Sequence, residues 1–271
     1  AGENLVASGG DFENFLKPRP ELPQSMEIQL KAVLRELVKN RWPFRLHATY
    51  DESISRFLAV MEEVNREFPF NGLTWFFDHA ETVSDANLDR IIALGGGLAI
   101  QDRMAFQAEG FVSRYGKKAA AHTPPVRRML DKGIRVGGGT DGTRVSSFNP
   151  WIGIYQFVSG KSLGGLKFAS GDNQLDRISA LKLYTTGSAS LIHQENERGI
   201  LKKNFLADLV ILNSDYLGIQ EDEIKNIRSL LTILDGKIVF GAQEYQKIAP
   251  QIPAALPAWS PVNFYGETQS R

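Results

Sequence analysis

Cysteine is absent from the 271 residues. Its absence excludes disulfides and thiolate metal sites, so any metal must be held by histidine and carboxylate. Histidine is itself scarce: there are four, His47, His79, His122 and His193, and no two form a His-x-His pair. Net charge is missing as well. Lys plus Arg and Asp plus Glu number 31 each, which gives no support to a nucleic-acid partner or a membrane surface. No apolar run approaches the roughly 18 residues of a spanning helix. The opening "AGENLVASGGDFENF" has no basic start and no apolar core, so it does not read as a signal peptide, and the cytoplasm is the default compartment. What remains is the composition of an ordinary globular chain, 42% apolar and 23% charged, long enough for one large domain or one and a half typical ones.

Periodicity supplies the organisation. Residues 1–25 read as loop. Residues 26–40 carry Met26, Leu30, Val33, Leu34, Leu37 and Val38 at helical spacing. "WPFRLHATYD" follows as a short strand expected to end at His47, and residues 52–68 form a second amphipathic helix. "GLTWFFDHAE" is a strand ending at His79. Residues 83–94 form a helix that Ser84 can cap, with Leu88, Ile91, Ile92 and Leu94 as its apolar face. "GGGLAIQ" is the third strand, and residues 103–123 are loop-like with room for a helix in the middle. "TPPVRRMLDKG" fits a helix with prolines in its first turn. "IRVGGGTD" is the fourth strand, and residues 175–192 form one long last helix.

Helix and strand alternate four times, the rhythm of a parallel sheet with crossover helices. The fold class expected is α/β. From about residue 197 the pattern changes to short strands with tight turns, Asp235-Gly236 being a strong hairpin signal. The boundary is drawn between a unit over 1–196 and a small antiparallel β module over 197–271. The tail at 249–262, with its prolines, is read as an extended wrap or a disordered segment.

Polar residues recur where the strands stop: His47 on the first, His79 on the second, Asp141 after the fourth. In parallel α/β structures ligands bind at these strand ends. Two imidazoles and a carboxylate suit zinc, iron or manganese, and a carboxylate beside a metal can take a proton from bound water. Each residue also has a plainer reading. Either histidine can be a hydrogen-bonded structural residue, and Asp141 a turn residue. The coincidence of the three favours a site. His122 and His193 are read as non-catalytic. Gly137, Gly138 and Gly139 lack the lysine of a phosphate-binding loop and read as closely packed sheet glycines.

Four segments in order, "RLHATYDESI", "WFFDHAETVSDANLDRIIALG", "VGGGTDGTRVSSFNPW" and "ERGILKKNFLADLVILNSDYL" with "LLTILDGKIVFG", resemble the C-terminal half of the amidohydrolase superfamily. The branch they resemble is the YtcJ-like one, amidohydrolase family 3, and within it the exoenzyme-regulatory-protein-like members. The branch also contains N-substituted formamide deformylases. The resemblance covers nearly all of residues 30–245. It implies part of a (β/α)8 barrel, about its last four strands, and one or two metals, usually zinc. It implies His47 and His79 as metal ligands, and Asp141 as the residue that binds metal and attacking water and acts as general base.

Departures from the family pattern matter too. Tyr50 stands where glycine is common. Gln101 and Arg103 follow the third strand and are candidate substrate contacts, with pairing of Arg103 to a nearby carboxylate as the alternative. Arg144 is a candidate for an acidic group on the substrate, with a structural salt bridge as its alternative. The His-x-His motif and the middle-strand ligand of the family have no counterpart, and four strands do not close a barrel. The expectation is the C-terminal part of a metal-dependent amidohydrolase that cleaves a C–N bond of a small molecule. Alone, it would hold its divalent metal poorly and pair with the missing N-terminal half or with its own copies. The alternative is a catalytically inactive regulatory or small-ligand-binding fragment.

Overall fold

The computed structural model describes residues 14–142 and 146–251. Arg144, and the tail from residue 252 on, lie outside the described residues. The chain runs α1 (Met26–Lys39), β1 (Phe44–Ala48), α2 (Asp51–Glu67), β2 (Trp75–His79), α3 (Asp85–Ala93), β3 (Gly97–Gln101), α4 (Arg103–Ala120), α5 (Val126–Asp131), β4 (Arg135–Gly139) and α6 (Pro150–Ser159). It continues through α7 (Arg177–Lys182), one π turn (Leu183–Gly187), α8 (Ser188–Leu191), β5 (Leu209–Leu212), β6 (Ser229–Leu234) and β7 (Lys237–Gly241).

The first four strands form one parallel sheet in the order β1-β2-β3-β4. Phe44, Leu46 and Ala48 of β1 alternate with exposed Arg45 and half-buried His47. The in-register partners Trp75 and Phe77 of β2 carry the same buried face. Helices cover that face through Leu30, Leu34, Ile54, Phe57, Leu58, Met61 and Leu88, all fully buried. At roughly 2 kcal/mol for each large apolar side chain removed from water, this seam is the dominant attractive contribution. The remaining strands make a separate antiparallel sheet, β5-β6-β7, with Asp235 and Gly236 in left-handed backbone at the hairpin turn. The architecture is therefore α/β, half the strand count of a (β/α)8 barrel followed by a small antiparallel sheet.

Several expectations need correction. β1 runs one residue beyond His47, to Ala48. Residues 103–123 are mostly helix: α4 spans eighteen residues, broken at Gly116, whose φ of 83° lies outside the helical range and whose presence makes the segment look like loop. The long helix over 175–192 is three pieces, α7, the π turn and α8. In the apolar faces, Val33 is 40% and Ile92 42% exposed, while Leu37 is only partly buried. The wholly missed element is α6, although Asn149 caps it, accepting from Trp151 N at 3.1 Å, with Pro150 in its first turn. After Pro150 its residues are all buried, so no amphipathic stripe marks it.

The three glycines of β4 behave as sheet glycines. A Cβ on Gly137 would stand 2.9 Å from Ser188 Cα, and one on Gly138 would stand 2.7 Å from the Tyr184 ring. Their bareness lets the π turn and α8 lie directly on the strand. Among the described residues no helix is long and apolar enough to cross a membrane.

Candidate active site

All four parallel strands point their C-terminal ends to one edge. His47 is the penultimate residue of β1, His79 the last of β2, Gln101 the last of β3, and Asp141 sits two residues past β4. The edge is held by unusual backbone. His79 (φ 79°), Ala80 (φ 55°) and Asp141 (φ 51°) are in the left-handed region that residues other than glycine rarely adopt. Such conformations cost of order 1–3 kcal/mol each and persist where the surroundings enforce them, commonly at functional sites.

The structure brings four of the expected residues into one bonded group, with His47 alongside. The His47 and His79 rings lie with centroids 4.3 Å apart, tilted by 59°. Of the two orientations of the Gln101 amide, only one satisfies its neighbours. In it the oxygen accepts from Arg103 Nε at 3.2 Å, and the nitrogen donates to His79 Nδ1 at 2.6 Å and to Asp141 Oδ2 at 3.0 Å. Gln101 thus ties β2, β3 and the loop after β4 together.

Arg103 is 1% exposed and takes the carboxylate-paired alternative: its Nε lies 3.3 Å from Glu81 Oε1. Its Nη2 approaches His79 Nδ1 at 3.3 Å, its Nη1 donates to Thr49 Oγ1 at 3.4 Å, and its guanidinium lies over the Phe15 ring. Tyr50, at the position where glycine is common in the family, is 3% exposed and packs edge-on to Phe15. Its bulk therefore goes into the wall of the site.

Three acidic residues at this edge escaped the sequence reading. Glu81, 1% exposed, pairs with Arg103. Asp78 faces away from the helices and accepts from Arg45 Nε at 2.9 Å. Burial pushes its carboxyl above the ordinary carboxylate value against the pull of Arg45 and His47, and Asp141 pushes in the same direction as burial. Asp102 is fully buried, and burial pushes its carboxyl up to about 8, with the Asp141 charge adding to the rise. The Ser146 hydroxyl, which also donates to the Thr140 carbonyl oxygen, pulls in the opposite direction. The signal was visible for two of them, since Asp78 and Glu81 flank His79 in a segment otherwise apolar.

The other two histidines lie elsewhere. His193 meets Arg135, the first residue of β4, at the opposite end of that strand, and His122 sits in the turn after α4. Among the described residues no three His, Asp or Glu side chains converge as a metal cage. The donor types present, two neighbouring imidazoles and one carboxylate joined to His79 through Gln101, are those a borderline divalent cation takes.

A family model described as amidohydrolase family matches residues 3–240. The chain is 25% identical over 245 residues to the putative amidohydrolase YtcJ of Bacillus subtilis strain 168, covering 86% of this chain and 45% of that protein. It is 24% identical over 161 residues to the N-substituted formamide deformylase of Arthrobacter pascens, covering 59% of this chain and 29% of that one. Among solved structures it resembles an uncharacterized metal-dependent hydrolase from Pyrococcus horikoshii OT3, with a TM-score of 0.62 and 23% identity over 75% of this chain and 40% of that one. The chain spans less than half the length of each of these relatives.

Proposed function

The chain belongs to the amidohydrolase family, and from that premise we propose that it carries one half of the active site of a metal-dependent hydrolase acting on a C–N bond. The bond is an amide, N-acyl or N-formyl linkage in a small molecule. Residues 1–196 supply this half of the barrel, and residues 197–271 the return segment with the small β-sheet. His47, His79 and Asp141 would hold the metal, for which zinc suits an imidazole-carboxylate set. A divalent metal held there would supply Lewis acidity and make water more acidic.

The chain's own residues do the rest. Asp141, whose Oδ2 accepts from the Gln101 amide at 3.0 Å, would take the proton of the attacking water at a carboxylate oxygen. Arg144 is the proposed partner of an acidic group on the substrate, while Gln101, buried and bonded to His79, Asp141 and Arg103, holds those side chains in place. Arg103, neutralised by Glu81, steadies the His79 ring. Completion of the site falls to a partner half-barrel, either the remaining strands of a longer protein or a second copy of this chain.

The observation that carries this reading is the bonded run His79–Gln101–Asp141 at the C-terminal strand edge, with the His47 ring against His79. A second reading has an observation of its own. The lack of a three-donor cage among the described residues favours a regulatory or small-ligand-binding fragment that keeps the fold and has lost the chemistry.

Plasma mass spectrometry of the purified chain separates the two, followed by assay against N-formyl and N-acyl amines. About one metal per chain, lost in His79→Ala and in Asp141→Asn, is the expected result. A folded, metal-free chain that takes up no added zinc removes the hydrolase reading for this chain.

A further inference from the structure

We propose that the chain carries a second ligand site, separate from the strand edge, which takes a small aromatic zwitterion: an α-amino acid with an aromatic side chain. The proposal is independent of the metal-site reading and uses none of the residues assigned to the metal.

The site is a pocket of about 400 Å³, within the range of roughly 300–1,000 Å³ that small-molecule sites occupy. Segments distant in sequence enclose it. The stretch before α1 gives Arg19, the residue ahead of α2 is Tyr50 and its first turn holds Glu52. Phe111 and Tyr115 come from α4, and His122 from the turn that follows. Every wall named belongs to this chain, so binding here does not wait for a partner half-barrel.

The apolar part of the lining is aromatic. Phe111 is 1% exposed, and its ring centroid lies 4.7 Å from that of Tyr115 at a tilt of 43°. Rings of this kind receive another ring by offset stacking or by edge contact. The polar part carries both signs. Half-buried Arg19 holds its guanidinium 5.8 Å from the Tyr50 ring centroid, and Glu52 is exposed on the same lining. Among the described residues neither charge has an ion-pair partner, and the two do not pair with each other.

Opposite charges that line one pocket without answering each other suit a ligand that brings both. A carboxylate takes the planar fork of Arg19, an ammonium takes Glu52, and the ring lies on Phe111 and Tyr115. A simple acid would meet Glu52 as a like charge, and a simple amine would meet Arg19 in the same way. His122, exposed beside them, adds a hydrogen-bonding ring nitrogen. The pocket also shares a wall with the strand edge. Tyr50 packs edge-on to Phe15, whose ring lies under the Arg103 guanidinium.

Isothermal titration calorimetry on the full chain tests this, with excess chelator present so that metal binding at the strand edge has no part in the result. L-Phenylalanine is expected to bind at one site per chain with a Kd at or below about 1 mM. Phenylacetate lacks the ammonium, phenethylamine the carboxylate and L-alanine the ring; each should bind at least about tenfold more weakly. Arg19→Gln should weaken phenylalanine about tenfold and leave phenethylamine no weaker; Glu52→Gln should do the same to phenylalanine and leave phenylacetate no weaker. Circular dichroism checks the fold of each variant. A folded native chain that shows no saturable uptake of phenylalanine overturns the proposal. So does an analogue that binds as tightly as phenylalanine, because one charge or the ring is then not read. Folded variants that bind phenylalanine as the native chain does place its binding elsewhere and overturn the site. If a variant does not fold, the native ranking of the four compounds decides.

Discussion

At the scale of single residues, the strand edge is an assembly of charges removed from water. Arg103 and Glu81 are each 1% exposed and answer one another. Breaking one partner of such a pair leaves a buried charge uncompensated and costs roughly 3–5 kcal/mol. Asp102 is a different case, because burial keeps its proton on up to a pH of about 8. Below about pH 4 folded and unfolded chains both hold that proton; between there and pH 8 only the folded chain does. Its contribution to stability is therefore full in acid and drains away as the pH rises through 8. Asp102→Asn should flatten that limb and raise the denaturation midpoint at pH 8 more than at pH 5. Urea titrations at the two pH values measure it, and an equal effect at both would mean that Asp102 is ionised in the folded chain.

At the scale of elements, the determinant is close approach. A Cβ on Gly187 would fall 2.3 Å from the Val136 carbonyl oxygen, a backbone atom that cannot swing aside. The π turn carrying Gly187 is thus seated against β4. Gly187→Ala should destabilise the chain by about 1–3 kcal/mol, the range for overpacking, and a midpoint unchanged in urea would show that the turn can lift from the strand. The same contact explains why one continuous helix over 175–192 is the natural reading of the sequence and not the structure. Apolar spacing records which side is buried, but not that the backbone must widen by one residue to fit a glycine strand. α6 escaped for the opposite reason, with every side buried and no spacing to detect, although its cap at Asn149 was legible. Asn149→Ala should cost about 1 kcal/mol by the same measurement.

At the scale of the whole molecule, the parallel sheet ends in β1 on one side and β4 on the other, and neither has a second strand neighbour among the described residues. Unpaired edges invite further strands. Beside α7 and α8, an apolar cleft of about 1220 Å³ runs toward the small sheet, lined in part by Ile178, Leu181, Ile192, Ile200 and Leu201. Leu201 is 82% exposed and Leu217, also in the lining, 57%. A contiguous surface of this kind marks an interaction site more often than a solvent-facing one. The chain is expected to self-associate at micromolar concentration or to bind a complementary half-barrel. Sedimentation velocity over a hundredfold range of concentration checks the first; a monomer throughout would remove self-pairing.

Legible along the chain were the α/β class, the parallel sense of four strands, the Ser84 cap, the Asp235-Gly236 hairpin and the placing of His79 at a strand end. Each follows from local physics: side-chain period, capping chemistry and turn conformation act over a few residues and leave their mark in the text of the chain. The family resemblance, carried by ordered motifs, was legible for the same reason. Folding in three dimensions is what joins His79 to Asp141 through Gln101, pairs Arg103 with Glu81, and buries Asp78 and Asp102 at the same edge. Those pairings span strands and helices distant in sequence, and burial of charge depends on which segments the sheet sets side by side. No spacing along the chain encodes that.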